Sequence, residues 1–334
     1  MATAESGAEQ KGQSNMKPRI LITGCSGLIG SRMAIQAKEA GADVVACARS
    51  RTEKLSMEMG MPVIAMDVLQ PIMLKNEQGS IDAIIHCATA NDIVSRDFGA
   101  GVELSVIGTR NILEYAIKQG IKRVIFFSTL QVYGTELTGE ITEETPVCCQ
   151  SPYALNHYYG EELCRMYARN HGLDVVLLRP SNVFGIPDVS TVNRDTLVPS
   201  CFVKEAVETG VITLRSSGRQ SRNFISTNEV AKTCLHLLNN FPAGCTVVNL
   251  SSDWLCSIRE IAEMTKQIHW QQNNRELPIN ILADEPKATN RFSIQSRFSS
   301  LRPSVEESRE MMFHVITQLF DNFNKHKEIS HANN

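Results

Sequence analysis

Residues 22–30 read ITGCSGLIG, which places Gly24, Gly27 and Gly30 three residues apart. The apolar run RILIT (19–23) precedes this loop, and GLIGSRMAIQAKEAG (27–41) follows it with helical periodicity closed by Gly41. Glycines between a strand and a helix let the backbone approach a pyrophosphate, which then rests on the helix N-terminus. The loop therefore predicts a dinucleotide site. The residue reading the adenosine ribose is expected at the end of the next strand, about 20 residues on. There, in VVACARSRTEK (44–54), the strand end offers no carboxylate for a free 2′-hydroxyl. Ala48 stands in its place, with Arg49 and Arg51 beside it as a clamp for a 2′-phosphate or as solvated surface charges. The clamp favours NADP over NAD. Asp67, closing the third strand, is a candidate for the adenine amino group or an ordinary turn aspartate.

Outward from the loop the pattern alternates. DVVACA, PVIAMD, DAIIHCA, RVIFFST and DVVLLRP are short apolar strands, separated by helical stretches such as GVELSVIGTRNILEYAIKQG (101–120). This alternation predicts an α/β fold with a doubly wound parallel sheet covered on both faces, the Rossmann arrangement. Beyond Gly185 the rhythm changes. ITLRSSGRQSRNFIS (212–226) reads as a hairpin and TVVNLSS (246–252) as one more buried strand. Capping boxes at Ser257–Glu260 and Ser304–Glu307 open two further helices. The expected organisation is a disordered leader at 1–17 and a dinucleotide-binding domain at 18–186, with a return segment at about 227–252. A smaller substrate-binding lobe follows at 187–226 and 253–326, then a tail at 327–334.

Of the 334 residues, 43% are hydrophobic and 21% charged, with a formal net charge of -3. This is ordinary globular usage, and its charge balance argues against nucleic acid or an anionic membrane as partner. Ten cysteines lie mostly inside apolar runs without any C-x-x-C spacing, so reduced buried thiols in a cytoplasmic protein are expected. The eight histidines lack ligand spacing, and no metal is expected. No run is long and apolar enough for a membrane helix.

The stretches TGCSGLIG, IIHCATA, GTRNILEYA, FFSTLQVYG, SPYALNHYYGEEL, LLRPSNVFG and GRQSRNFISTNEVA together resemble the extended short-chain dehydrogenase/reductase family of nucleotide-sugar epimerases, dehydratases and reductases. The resemblance spans about 19–319. It implies cofactor contacts at Gly24, Ser26, Gly27, Leu28, Ile29, Gly30, Arg49, Asp67, Val68, Cys87, Ala88 and Thr89. It places a catalytic hydroxyl on Thr129 and a catalytic tyrosine on Tyr153. The family's lysine, four residues after that tyrosine, is here His157, implied as a ribose ligand and a weaker activator of Tyr153. If a charged His157 assists Tyr153, turnover falls above the histidine pKa. Substrate contacts are implied at Thr129, Asn182, Arg222 and Arg291, the two arginines serving a nucleotide diphosphate. The acid/base pair of 4,6-dehydratases is replaced by Leu130 and Gln131, which argues against that reaction. Ser105 stands where an asparagine is usual. The resemblance also implies a homodimer. Three readings stay open: an NADPH-dependent keto-sugar reductase, an epimerase with retained NAD, and a catalytically weak dinucleotide-binding sensor or scaffold.

Overall fold

The computed structural model describes residues 17–74, 79–192, 195–283 and 291–332; most of the expected leader lies outside them. In chain order, β1 (Arg19–Thr23), α1 (Leu28–Glu39), β2 (Asp43–Ala48), α2 (Thr52–Met59), β3 (Val63–Ala65) and β4 (Ala83–His86) come first. Next are α3 (Phe98–Val102), a π-helical turn (Glu103–Gly108), α4 (Thr109–Gln119), β5 (Arg123–Phe127), β6 (Gly139–Ile141), α5 (Pro152–His171) and β7 (Asp174–Pro180). β8 (Asn182–Phe184), α6 (Val198–Thr209), β9 (Ile212–Leu214), β10 (Ser221–Ser226), α7 (Thr227–Asn239) and β11 (Cys245–Leu250) follow. The chain closes with β12 (Leu255–Ser257), α8 (Ile258–Asn273), β13 (Ile279–Ile281), β14 (Phe292–Ile294) and α9 (Val305–Ala332).

Seven parallel strands form the central sheet in the order β11-β7-β5-β4-β1-β2-β3. Strands buried on both faces need side chains that are apolar on both faces, which is why they read as continuous rather than alternating runs. One face packs Ile20, Ile22, Ile85 and Val176 with α1 and α7; the other packs Leu21, Ile84, Phe126 and Leu177 with α4 and α5. Strand order reverses between β1 and β4, and a crevice opens outside their C-terminal ends, where open α/β sheets bind ligands. A separate core of Phe184, Phe224, Trp254, Ile261, Ile316 and Phe320 joins β8, β10 and β12 to α6, α8 and α9.

Both capping boxes form. Ser257 and Glu260 exchange bonds at the start of α8, and Glu307 accepts from the Ser304 amide while donating its own to the Ser304 hydroxyl. The expected hairpin does not form. β9 pairs with β13, whereas β10 pairs with β8 and β12. Six residues separate β9 from β10, too many for a tight two-residue turn, and each strand finds its partners in other segments. The 101–120 stretch is also less uniform than its periodicity predicts, because the π-helical turn interrupts it before α4 ends at Gly120, φ 71°. Residues 327–332, expected in the tail, continue α9.

Candidate active site

A cavity of about 940 Å³ runs along the crevice. Its lining brings together Gly24, Ser26, Gly27, Leu28, Ile29, Gly30, Cys87, Thr89, Thr129, Tyr153, His157, Asn182 and Arg222. The glycine loop is built for close approach. Gly24 has φ 74°, and a Cβ there would lie 2.8 Å from the Ala88 amide nitrogen. A Cβ on Gly30 would overlap the Gly24 carbonyl. α1 begins at Gly27 with no side chain capping its first turn, so its leading N–H groups suit an anion, as a dinucleotide pyrophosphate requires.

The turn opposite this loop is fixed by a buried chain. The Thr23 hydroxyl accepts from the amides of Cys87 and Ala88, each at 3.1 Å. Its hydrogen is therefore directed to His86 Nδ1 at 2.8 Å, leaving the ring proton on Nε2 to reach Thr109 Oγ1 at 3.3 Å. Burial pushes His86 down to about 3, with the nearby His157 acting in the same direction. This ring stays neutral.

Thr129 ends the β5 segment, and its hydroxyl accepts from the Gln131 amide at 3.3 Å. α5, capped by Ser151 and opened by Pro152, carries Tyr153 and His157 one turn apart on one face. Their rings meet edge to face, centroids 4.7 Å apart. His157 is 3% exposed and its Nδ1 lies 3.2 Å from the Phe127 carbonyl, which can only accept, so Nδ1 carries the proton. Burial pushes His157 down to about 4, opposed by Glu161 and by the carbonyls of Phe127 and Ala90. The ring is thus neutral across the ordinary working range. A limb near pH 6.5 from a charged His157 is not expected.

Below His157 lies a network that the sequence reading missed. Glu161, fully buried, accepts from Ser128 Oγ (2.6 Å), Arg179 Nε (2.8 Å) and Nη2 (2.5 Å), and Arg165 Nη2 (3.0 Å). The Arg179 guanidinium also covers the Tyr133 ring. The network ties Ser128, adjacent to Thr129, to the helix that carries Tyr153. Its signal was an arginine inside the apolar run VVLLRP, since a charge in a buried strand needs a partner.

Asn182 Nδ2 donates to the Asn223 carbonyl at 2.8 Å, and Arg222 Nη1 to the Thr135 carbonyl at 3.3 Å. Five expected contacts lie outside the cavity lining: Arg49, Asp67, Val68, Ala88 and Arg291. Arg49 and Arg51 are exposed where α2 begins, and Arg51 adopts φ 59°. Asp67 accepts from the Leu69 amide at 3.0 Å and borders a second cavity of about 490 Å³, lined also by Met66, Ile72, Leu74 and Ile81. Asn111 Nδ2 holds the Val68 carbonyl at 2.8 Å. The Arg291 side chain is exposed.

A clasp also crosses the phosphate loop. Asp188 pairs with Arg32 of α1 at 2.6 Å, Ser190 donates to Glu58 of α2 from its amide and hydroxyl, and Thr191 Oγ1 donates to the Ser26 carbonyl at 3.1 Å. Among the described residues no group of three His, Cys, Asp or Glu side chains could hold a metal ion, and no helix is long and apolar enough to cross a membrane.

Residues 20–250 match the model of the NAD dependent epimerase/dehydratase family. The chain belongs to this family. A putative UDP-glucose 4-epimerase of Methanocaldococcus jannaschii is 28% identical over 253 residues, covering 74% of this chain and 81% of the relative. A dTDP-4-dehydro-6-deoxy-D-allose reductase from a Streptomyces species is 27% identical over 270 residues, covering 75% and 80%. A dTDP-glucose 4,6-dehydratase of Streptomyces venezuelae, solved with NAD and TYD bound, superposes with a TM-score of 0.75 at 23% identity, over 91% of this chain and 97% of that one. The epimerase/dehydratase family thus includes relatives with different named reactions, and the choice among them falls to this chain's own residues.

Proposed function

We propose that this chain is an NADPH-dependent reductase acting on the keto group of a nucleotide-linked sugar. The observation that carries the reading is Tyr153 against a buried, neutral His157. A phenol ordinarily keeps its proton to about pH 10, and a neutral imidazole supplies no charge that favours the phenolate. Tyr153 is thereby suited to give a proton rather than take one, which is the reductive direction. The dinucleotide, held along Gly24–Gly30 and at Cys87, Thr89 and His157, supplies hydride when bound. The Thr129 hydroxyl donates to the carbonyl oxygen, and Tyr153 passes its proton to that oxygen as it becomes an alcohol; solvent restores the phenolic proton. Leu130 and Gln131, which line the cavity beside Thr129, offer no group for a dehydratase's proton transfers.

At the ribose end, Arg49 and Arg51 flank an α2 N-terminus that no side chain caps, a setting suited to a 2′-phosphate. Arg222 serves the substrate diphosphate, and the lobe built from 187–226 and 253–326 serves the nucleotide. The clasp over the phosphate loop is the observation that favours the second reading, an epimerase with retained NAD. Fluorescence titration with NADPH and NADH, after a search for dinucleotide released on denaturation, separates the two. Preferred binding of added NADPH supports the reductase, released NAD supports the epimerase, and no binding of either removes the enzyme reading. All ten cysteines are free, consistent with the cytoplasmic location we assign. We also assign a homodimer contact to Phe98, Ile107, Tyr159 and Met166, exposed apolar side chains on neighbouring parts of α3, the π-helical turn and α5.

A further inference from the structure

The segments that follow β1 and β3 are both tied to the end of β2. The Cys25 amide of the glycine loop donates to the Cys47 carbonyl at 3.0 Å, and the Met66 amide donates to the Ala48 carbonyl at 2.9 Å. Asp67 is therefore one residue, about 3.8 Å of chain, from backbone bonded to the ribose-reading position. There the chain turns tightly, with the Gln70 amide donating to the Asp67 carbonyl at 3.0 Å. The planar peptide between Val68 and Leu69 is gripped at both ends. Its N–H donates to the Asp67 carboxylate at 3.0 Å, and its carbonyl accepts from Asn111 Nδ2 at 2.8 Å. The Val68 side chain, 5% exposed, lies over Gly108, where a Cβ would come within 2.9 Å of Val68 Cγ2. Gly108 and Asn111, three residues apart where α4 begins, thus hold Val68 by side chain and by carbonyl.

We propose that Asn111 is a positioning residue for the adenine end of the dinucleotide: with Gly108 as the seat of Val68, it fixes the 67–70 turn so that the Asp67 carboxylate meets the adenine amino group. The inference rests on the dinucleotide reading above and deepens it. A peptide group is rigid, so its two ends turn together. Without Asn111 the Val68 carbonyl loses a bond worth about 1 kcal/mol and regains it only by rotating towards water. The Leu69 N–H rotates with it, and the carboxylate held on that N–H loses its aim. A carboxylate accepts at both oxygens, so Asp67 can hold Leu69 and still take a bond from an amino group.

The test titrates the full chain with NADPH or NADH, whichever binds better, and with its deamino counterpart, in which hypoxanthine replaces adenine and an oxo group replaces the amino donor. Nicotinamide fluorescence reports both. The unaltered protein is expected to bind the adenine form about fivefold more tightly, the worth of one hydrogen bond. Asn111→Leu, which removes the donor at a half-buried position, should bring that ratio close to one. Gly108→Ala should also reduce it by pressing on Val68, with the melting temperature little changed, because Gly108 is already helical at φ -59° and alanine is the better helix former. A loss of affinity for both forms with the ratio intact in Asn111→Leu is what a merely structural role gives, and it overturns the proposal. Equal binding of the two forms by the unaltered protein overturns it as well. If Asn111→Leu does not fold, Gly108→Ala decides, and a ratio unchanged there overturns the proposal. Binding of neither NADPH nor NADH by the unaltered protein removes the dinucleotide reading, and this proposal with it.

Discussion

Two buried imidazoles set the pH behaviour of the site. His157 and His86 are pushed from an ordinary 6.5 to about 4 and about 3 by burial. Because the folded values lie below the unfolded ones, the unfolded chain binds more protons between them. The contribution is present above pH 6.5 and lost progressively as pH falls towards 4 and then 3. For His157 alone it is roughly 3 kcal/mol. Urea unfolding at pH 7.5 and pH 5 should show a clear loss of stability at the lower pH, and His157→Gln should flatten that slope; an unchanged slope would contradict a neutral buried ring. Catalysis should show the complement. Reductive turnover is expected to be free of a limb near pH 6.5, and His157→Lys should lower the pH at which alkaline loss sets in, because a fixed cation favours the phenolate. The position of His157 four residues after Tyr153 was legible in the sequence; its neutrality was not, since it depends on three-dimensional burial strong enough to outweigh Glu161 and the Phe127 and Ala90 carbonyls. Glu161 sits one turn further along α5; its i+4 partner Arg165 is local, but Ser128, just after β5, and Arg179 of β7 are too distant in sequence to be read from spacing.

At the scale of elements, local signals were read well where local chemistry decides. Gly120 and the boxes at Ser257 and Ser304 each act within one helical turn of their own position, and each forms. β9 and β10 failed as a hairpin because their partners are non-local: alternation names a strand but not its neighbour. The clasp at 188–191 was invisible for the same reason. Its contacts reach back to Arg32, Glu58 and Ser26, and none of its residues carries a motif. It should act on rates. Opening it to release a dinucleotide costs the Ser190 and Thr191 bonds, each worth about 1 kcal/mol. Thr191→Val is expected to speed dinucleotide release roughly fivefold in stopped-flow fluorescence, with the melting temperature little changed. Release at the unaltered rate would mean that the segment does not cover the bound cofactor.

For the molecule as a whole, the glycine loop and the strand rhythm were enough to anticipate the sheet, because a buried parallel strand has to be apolar on both faces. How copies of the chain associate is a different matter, since an exposed apolar helix stripe looks in sequence like a core stripe. The structure distinguishes them. Cys164 and Tyr167 on α5 face the sheet, whereas Tyr159 and Met166, seven residues apart and so two turns along the same helix, are 37% and 39% exposed. On α3 and the π-helical turn, which pack against α5, Phe98 and Ile107 are 55% and 40% exposed. Singly these exposures would be unremarkable; on elements that pack together they suit a two-fold contact in which the same surface meets itself. Light scattering is expected to give twice the 37.0 kDa of one chain. The double substitution Tyr159→Glu with Met166→Glu should yield monomer, since it sets like charges against each other across a formerly apolar contact. Because α5 also carries Tyr153 and His157, the monomeric variant is expected to lose turnover more than dinucleotide affinity. A variant that stays dimeric would place the contact elsewhere on the surface.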